Sequence, residues 1–581
     1  MDLPPAPPTE KTAAASGCPH AAQHGSAAPP TECPAHKAAA ASGCPHAVQH
    51  GSAAPPAECP AHKATAASGC PHAAQHDSEA SSSERAYETA RAEAEASSSR
   101  GGCPHAQGAA PAKATCPFDV ADKAPSGIVD VAAAPKPVGA YPHARKHGDF
   151  LFLSGIGSRT PTNEIPGGPI YDENRQPLEY DVTAQTHQVV ANLKTILADC
   201  DASLEDIIDV QVFLVDMERD FAAFNKVYAE YFKDIRATRT TVSLRNLPTA
   251  IAVEFKVIAC AKKAGTETET GAETASAEVS PSSGIVDVAA APKPVGAYPH
   301  ARRHGDFLFL SGIGSRTPGT NAIPGGPIYD ENRQPLEYDA GAQTRQVIEN
   351  IKTIMAGCGA DLEDIVDVQV FLVDMERDYA AFETVYAEYF KDIRPALTTM
   401  SLRNLPTPIA VEFKVIAKAK KPAAETNATG DSVHVEFAPA SAGPCPHARK
   451  HGNLFFLSGI DSRTPGTNEI PGGPIYDENR KPLEYDIVRQ THQAITNIKT
   501  VLYGGCDGAI EDVIDVQVFL VDMERDFAAF NKVYAQYFGE SRPTRTTVSL
   551  CAHPHAVAVQ FKVIASAMPI GGEGCPACKM Q

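Results

Sequence analysis

Two short stretches of this 581-residue chain combine strand-like alternation with charged residues able to do chemistry. In TRTTVSL, period two puts Val242 and Leu244 on one side and Arg239, Thr241 and Ser243 on the other. In IAVEFKVIA it puts Ile251, Val253, Phe255 and Val257 on one side, with Glu254 and Lys256 opposite. With both apolar sides turned to the same helices, Arg239 and Glu254 share the remaining face, which is either solvent or an interface. A guanidinium offers a planar donor fork that matches two carboxylate oxygens, and a carboxyl group can hold or move a proton. On a solvated face the same pair does no chemistry. Cysteine and histidine form a second set, gathered in the first 125 residues. Units reading GCPH or ECPAHK place Cys18, Cys33, Cys44, Cys59 and Cys70 in Cys-Pro-His or Cys-Pro-Ala-His cores, and Cys103 opens a sixth. A thiolate beside imidazoles can ligate haem iron or a soft metal, although the paired CxxC of a zinc finger is absent from these units. CPACK, near the end of the chain, is a CxxC without redox-domain context.

The elements that must position the arginine and glutamate recur three times. Copies at 126–263, 283–421 and 433–569 share SRTP, PGGPIYDENR, DVQVFLVDMERD and VIA in one order. Each is of domain size, not a solenoid unit. In the first copy DFLFLSG reads as a strand ending in a turn, and TAQTHQVVANLKTILADC as a helix with Val189, Leu193, Ile196, Leu197 and Cys200 on one face. A buried strand, IIDVQVFLVD, precedes a helix, DFAAFNKVYAEYF, and two further strands close the unit. This order predicts an α+β layer with helices on one sheet face. Segments 264–282 and 422–432 read as flexible linkers, and 570–581 as a C-terminal tail. Residues 1–125 carry a 26-residue Ala/Pro/Ser repeat with almost no large apolar side chains, the composition of a disordered tail.

A formal net charge of -19 without a basic cluster argues against nucleic acid or an anionic membrane surface as partner. No apolar run of spanning length occurs, and the N-terminus lacks the apolar core of a signal peptide. The expectation is a cytoplasmic protein, with a mitochondrial address as the alternative. The cysteines closing the three helices, Cys200, Cys358 and Cys506, read as small buried thiols without chemistry.

GAYPHAR, FLFLSG, GSRTP, AQTHQVVANLKTIL, VFLVDM, FAAFNKVYAEYF, TRTTVSL, LP and AVEFKVIA, in this order, closely resemble the Rid (YjgF-like) family of reactive-intermediate imine deaminases, and most of all its 2-aminomuconate deaminase branch. The resemblance implies chorismate-mutase-like α+β domains that assemble as trimers around a central β-barrel, with active sites in the clefts between neighbours. Three copies on one chain would then form an intramolecular pseudotrimer and a monomeric protein. Tethering by short flexible linkers gives an effective concentration on the order of millimolar. The resemblance also implies the roles. Arg239 clamps a substrate carboxylate, Glu254 holds or activates the attacking water, and Tyr141, Ser154 and Gly155 line the cleft. The substrate is a small enamine or imine carboxylic acid, and catalysis needs no cofactor because an imine is already electrophilic.

Copy one keeps the whole set, so one fully equipped site built around Arg239 and Glu254 is expected. Copy two has Leu397 where the clamp should be, and its carboxylate site should be dead. Copy three keeps Ser458 and Arg545 but has Cys445 for the tyrosine and Gln560 for the glutamate, which predicts binding with little turnover. Arg159, in GSRTP, is either a second carboxylate contact or a loop residue in an ion pair; His143, His300 and His447 read as structural. The glycines of PGGPIYDENR lack the lysine and helix start of a phosphate cradle. The Cys-Pro units resemble the haem-regulatory motifs of cytochrome c haem lyases, which implies haem on the tail; a slipped low-complexity expansion without ligand is the competing reading. The rival for the whole chain is a non-catalytic carboxylate-binding or haem- or metal-responsive regulator.

Overall fold

Asp181 and Asp216 start the two helices of the first copy, their carboxylates accepting from the backbone N–H groups of Thr183 and of Glu218 and Arg219. The computed structural model describes residues 127–261, 284–419, 432–441 and 443–568; the N-terminal Cys-Pro units, both linkers apart from Ser432, and the CPACK segment lie outside them. The first copy runs β1 (Ile128–Val129), β2 (Ala144–His147), β3 (Phe150–Leu153), β4 (Ile156–Gly157), α1 (Val182–Asp199), β5 (Ile207–Leu214), α2 (Met217–Phe232), β6 (Thr238–Ser243) and β7 (Val253–Cys260). Its seven-stranded sheet has the order β1-β2-β3-β7-β5-β6, with β4 pairing β7. Only β5 and β6 are parallel, as the crossover through α2 requires. The other two copies repeat this sheet, and the helices fall where the apolar periodicity puts them.

Cross-strand register decides what each face carries. Residues directly opposite on neighbouring strands point the same way. Val210 pairs with both Arg239 and Val257, and Val212 with Thr241 and Phe255; this face looks toward the helices. Phe213 pairs with both Val242 and Glu254, and Gln211 with Thr240 and Lys256, on the opposite face. Arg239 and Glu254 therefore project from opposite sides of their own sheet. The expectation that Val242 and Leu244 turn with Phe255 toward the helices is corrected here. Both faces are buried, so alternation alone could not orient β6.

The second face is buried because the three copies turn it toward one another. Phe150, Phe152, Phe307, Phe309, Leu454 and Phe456 belong to one apolar cluster built from all three. Above it Gln211 donates to Gln369 (2.9 Å) and Gln517 donates to Gln211 (2.7 Å). Buried ion pairs run between copies: Lys256–Asp515 and Lys414–Asp209, both 2.6 Å, and Lys562–Asp367. At each junction β6 or its counterpart meets the turn after a neighbour's β3-type strand. Gly312 N–H donates to Arg239 O (2.9 Å), Gly459 N–H to Leu397 O (2.8 Å) and Gly155 N–H to Arg545 O (3.0 Å). Copy one thus abuts copy two, copy two abuts copy three, and copy three abuts copy one. No closed central barrel forms among the described residues. The three sheets stay separate, joined by such single bonds and by isolated bridges, Ser243 with Asn404, Asn246 with Ser549 and Ser401 with Ala552. The neighbour presents a turn at the junction, which cannot continue a ladder.

Candidate functional site

Because each sheet turns its arginine position to one face and its glutamate position to the other, every cleft takes the first from one copy and the second from the next. The first cleft joins Arg545 of copy three to Tyr141, Ser154, Gly155 and Glu254 of copy one. The second joins Arg239 of copy one to Tyr298, Ser311, Gly312 and Glu412 of copy two. The third joins Leu397 of copy two to Cys445, Ser458, Gly459 and Gln560 of copy three. The expected site containing both Arg239 and Glu254 does not exist. Instead, two clefts hold a full set, and the three substitutions read from the sequence meet in one.

In the first cleft the Arg545 guanidinium lies 4.4 Å from the Tyr141 ring centre, 4.6 Å from Tyr534 and 5.4 Å from Phe530. It is 1% exposed, and its Nε, Nη1 and Nη2 have no hydrogen-bond partner among the described residues. Arg239 repeats this between Tyr298 (4.5 Å) and Tyr228 (4.7 Å), with Nη1 donating to Asn225 Oδ1 at 2.8 Å and Nε and Nη2 unpartnered. A buried guanidinium with unused donors is costly unless it binds an anion. Glycine is required beside it: a Cβ at Gly139 or Gly296 would lie 2.5 Å from the arginine Nη2. Gly155 answers to the same constraint, since a Cβ there would stand 2.2 Å from Glu254 Oε1.

Burial pushes Glu254 up to about 8 against the opposing charges of Arg159 and Arg545, and Glu412 up to about 8 against Arg316 and Arg239. Each is therefore largely protonated near neutrality and faces the guanidinium of the neighbouring copy. Burial also raises Tyr141 and Tyr298. Ser154 acts at the junction itself: its hydroxyl donates to Pro142 O (2.6 Å) and accepts from Arg545 N–H (3.0 Å). Ser311 and Ser458 do the same for Arg239 and Leu397. Pockets open onto the first two clefts, lined by Tyr141, Ser154, Gly155 and Arg159 and by their counterparts. Arg159 is tied to its own loop through Asn163 Oδ1 (2.7 Å) and to the segment before β2 through Lys136 O (3.1 Å). His143 is held by backbone, Nδ1 accepting from Val131 N–H (3.0 Å) and Nε2 lying 3.0 Å from Pro135 O.

Sequence reasoning missed Asn225 and Asn531, which stand beside the guanidinium. The signal was present, since Asn225 falls on the helical stripe of Phe221 and Tyr228. In copy two this asparagine is Glu383. It missed Asp461 too, which replaces the glycine of β4 and holds Arg463 (2.9 Å) and His555 (3.0 Å). No group of three or more metal-ligating side chains occurs among the described residues, and none of their helices is long and apolar enough to cross a membrane.

The family described as Endoribonuclease L-PSP matches residues 131–261, 288–419 and 435–567, and the chain belongs to it, as three tandem Rid-type (YjgF/RutC) domains. Among similar proteins, a RutC family protein of Pyrococcus horikoshii is 40% identical over 127 residues, covering 22% of this chain and 90% of its own length. Protein MMF1, mitochondrial, of Saccharomyces cerevisiae is 34% identical over 134 residues, 23% of this chain and 83% of its own. A 2-iminobutanoate/2-iminopropanoate deaminase of Dermatophagoides farinae is 30% identical over 132 residues, 23% of this chain and 93% of its own. The solved structure of RidA from an Antarctic Psychrobacter shares 29% identity over 23% of this chain and 97% of its own, with a TM-score of 0.20.

Proposed function

We propose that the chain is a hydrolytic deaminase of small enamine and imine carboxylic acids, working at the Arg545–Glu254 and Arg239–Glu412 clefts. The observation that carries this reading is a buried guanidinium with unused donors facing a buried, protonated carboxyl group from the neighbouring copy. The Dermatophagoides relative's name supports the same chemistry.

The substrate carboxylate takes the arginine donors, and the C=N group then lies toward the glutamic acid. An enamine first tautomerises to the imine by moving a proton from nitrogen to the β-carbon. Glu254 or Glu412 gives its proton to the imine nitrogen, and the carboxylate so formed takes one from the water whose oxygen attacks the carbon. That proton passes to the amine, the hydroxyl group gives its own proton to the glutamate carboxylate as the C–N bond breaks, and ammonia and a 2-oxo acid leave with the glutamic acid restored. Positioning and proton transfer supply the whole sequence, so no cofactor is required. The substrates are of the 2-aminoacrylate or 2-aminomuconate type; in a dicarboxylate the second acid would reach toward Arg159 or Arg316.

Double variants test the pairing. Arg239→Ala with Glu412→Ala damages one cleft and should leave roughly half the ammonia release from 2-aminoacrylate, whereas Arg239→Ala with Glu254→Ala damages both and should abolish it. Equal activity in the two variants would refute the composite sites. Full activity in both would leave a non-catalytic role for the arginines and glutamates.

A further inference from the structure

The third cleft differs from the others on both of its walls. Leu397 replaces the arginine, Glu383 the asparagine, Cys445 the tyrosine, Gln560 the glutamate and Asp461 a glycine. We propose that this cleft recognises a small organic cation, an amine or guanidinium group, at the position that Arg239 and Arg545 fill with their own guanidinium in the other two.

The helix wall of the cage is retained. Tyr379, Phe382 and Tyr386 keep the spacing of Phe221, Phe224 and Tyr228, with ring centres 6.0 and 5.5 Å apart against 6.3 and 5.7 Å. These are the rings against which a guanidinium is held in the second cleft. Leu397 packs in one apolar cluster with Phe382, Tyr386 and Cys445 and brings no donor of its own to the cage. At Gly443 the atoms nearest a Cβ position are Glu383 Oε1 (3.5 Å) and Leu397 Cδ2 (3.6 Å), where Gly139 and Gly296 meet an arginine Nη2 at 2.5 Å. Cys445 also removes the tyrosine ring that stacks on the guanidinium in the intact clefts.

Charge follows the same logic. One cation is lost with Leu397 and one anion gained with Glu383. Arg463 is engaged by Asp461 (2.9 Å) and Ala440 O (2.8 Å), and Asp461 also holds His555 (3.0 Å). Arg394 Nη2 lies 3.5 Å from the Cys445 carbonyl oxygen and from His434 Nδ1. On the opposite wall Gln560 is 3% exposed, its Oε1 has no partner among the described residues, and its amide faces Gly459 as Glu254 faces Gly155. A carboxylate would meet Glu383 with no clamp, whereas a ligand N–H group meets the Glu383 carboxylate and the Gln560 amide oxygen.

The test is titration of the full chain with methylguanidine, followed by saturation-transfer NMR, without deaminase substrate. Wild type should bind it saturably. Glu383→Gln should weaken binding at least tenfold, and Leu397→Arg, which supplies the cage with its own guanidinium, should abolish it. Both variants should keep the wild-type circular dichroism spectrum and thermal melt, which report that they fold, and any ammonia release at the other two clefts. Absence of saturable binding in wild type, or wild-type affinity in either variant, overturns the proposal. So does loss of binding in Arg239→Ala, which would place the probe elsewhere. Failure of the deaminase reading would leave these binding results unchanged.

Discussion

Replacing Glu254 and Glu412 by glutamine should make the protein more stable at neutral pH while it loses activity. Burial holds each carboxyl at about 8, against 4.5 for the same group free of the fold. Between those values the folded state binds more protons than the unfolded one, so stability falls as pH rises from about 4.5 and levels off above about 8. At pH 7 the group lies about 2.5 units above its ordinary titration, which corresponds to about 3 kcal/mol of destabilisation per site. Glutamine is isosteric, neutral at every pH, and already stands in the third cleft as Gln560, where it is 3% exposed. The double variant should therefore gain about 6 kcal/mol at pH 7 and almost nothing near pH 4, where wild-type glutamates are protonated in both states. Thermal melts of wild type and variant across this pH range check the sign. A gain that does not grow with pH, or a loss of stability near neutrality, refutes the assignment of these carboxyls as buried and protonated.

Activity should carry the same titration: kcat/KM on 2-aminoacrylate falls as pH passes about 8, because the proton donor ionises, and a pH-rate profile reads it. Leu397→Ala should leave ammonia release unchanged, while Arg239→Ala and Arg545→Ala should each remove about half in steady-state assays. Asp515→Asn strands Lys256, which is 4% exposed, and should cost about 3 to 5 kcal/mol in denaturation experiments. Light scattering should give one chain of 61.4 kDa; three associated chains would contradict a self-contained pseudotrimer.

Element positions were legible because local periodicity sets them. The stripe Val189, Leu193, Ile196, Leu197 is the buried face of α1, and the unbroken apolar run of β5 is buried along its whole length. The failure was one of orientation. A strand with one wet face announces its direction by alternation, but β6 is buried on both sides, with Thr238 and Thr240 turned toward the neighbouring copies and Arg239 toward Phe224 and Tyr228. Placing Val242 on the helix side put Arg239 and Glu254 together, and only the ladder through Val210 and Phe213 separates them. The site itself could not be read within one copy, because no copy contains one. Asn225 escaped notice because a polar residue on a helix stripe looks like a boundary until the arginine it holds is found beside it.

The order of the copies around the assembly gives the substitutions their meaning. Copy two has lost the arginine position but keeps Tyr298 and Glu412; copy three has lost the tyrosine and glutamate positions but keeps Arg545. In the observed order these losses face each other across one junction, and Arg239 and Arg545 each meet an intact partner. Reversing the order would set Leu397 against Glu254 and Arg239 against Gln560, and only Arg545 with Glu412 would form a complete pair. The peripheral contacts follow the same division. Arg236 and Arg542 make two-pronged bonds to Asp287 and Asp130 across the first two junctions, while Arg394 faces His434 across the third. A homotrimer cannot change one interface without changing all three. Fusion removes that constraint, and the departures on both walls of the third junction are what a single interface released from it would accumulate.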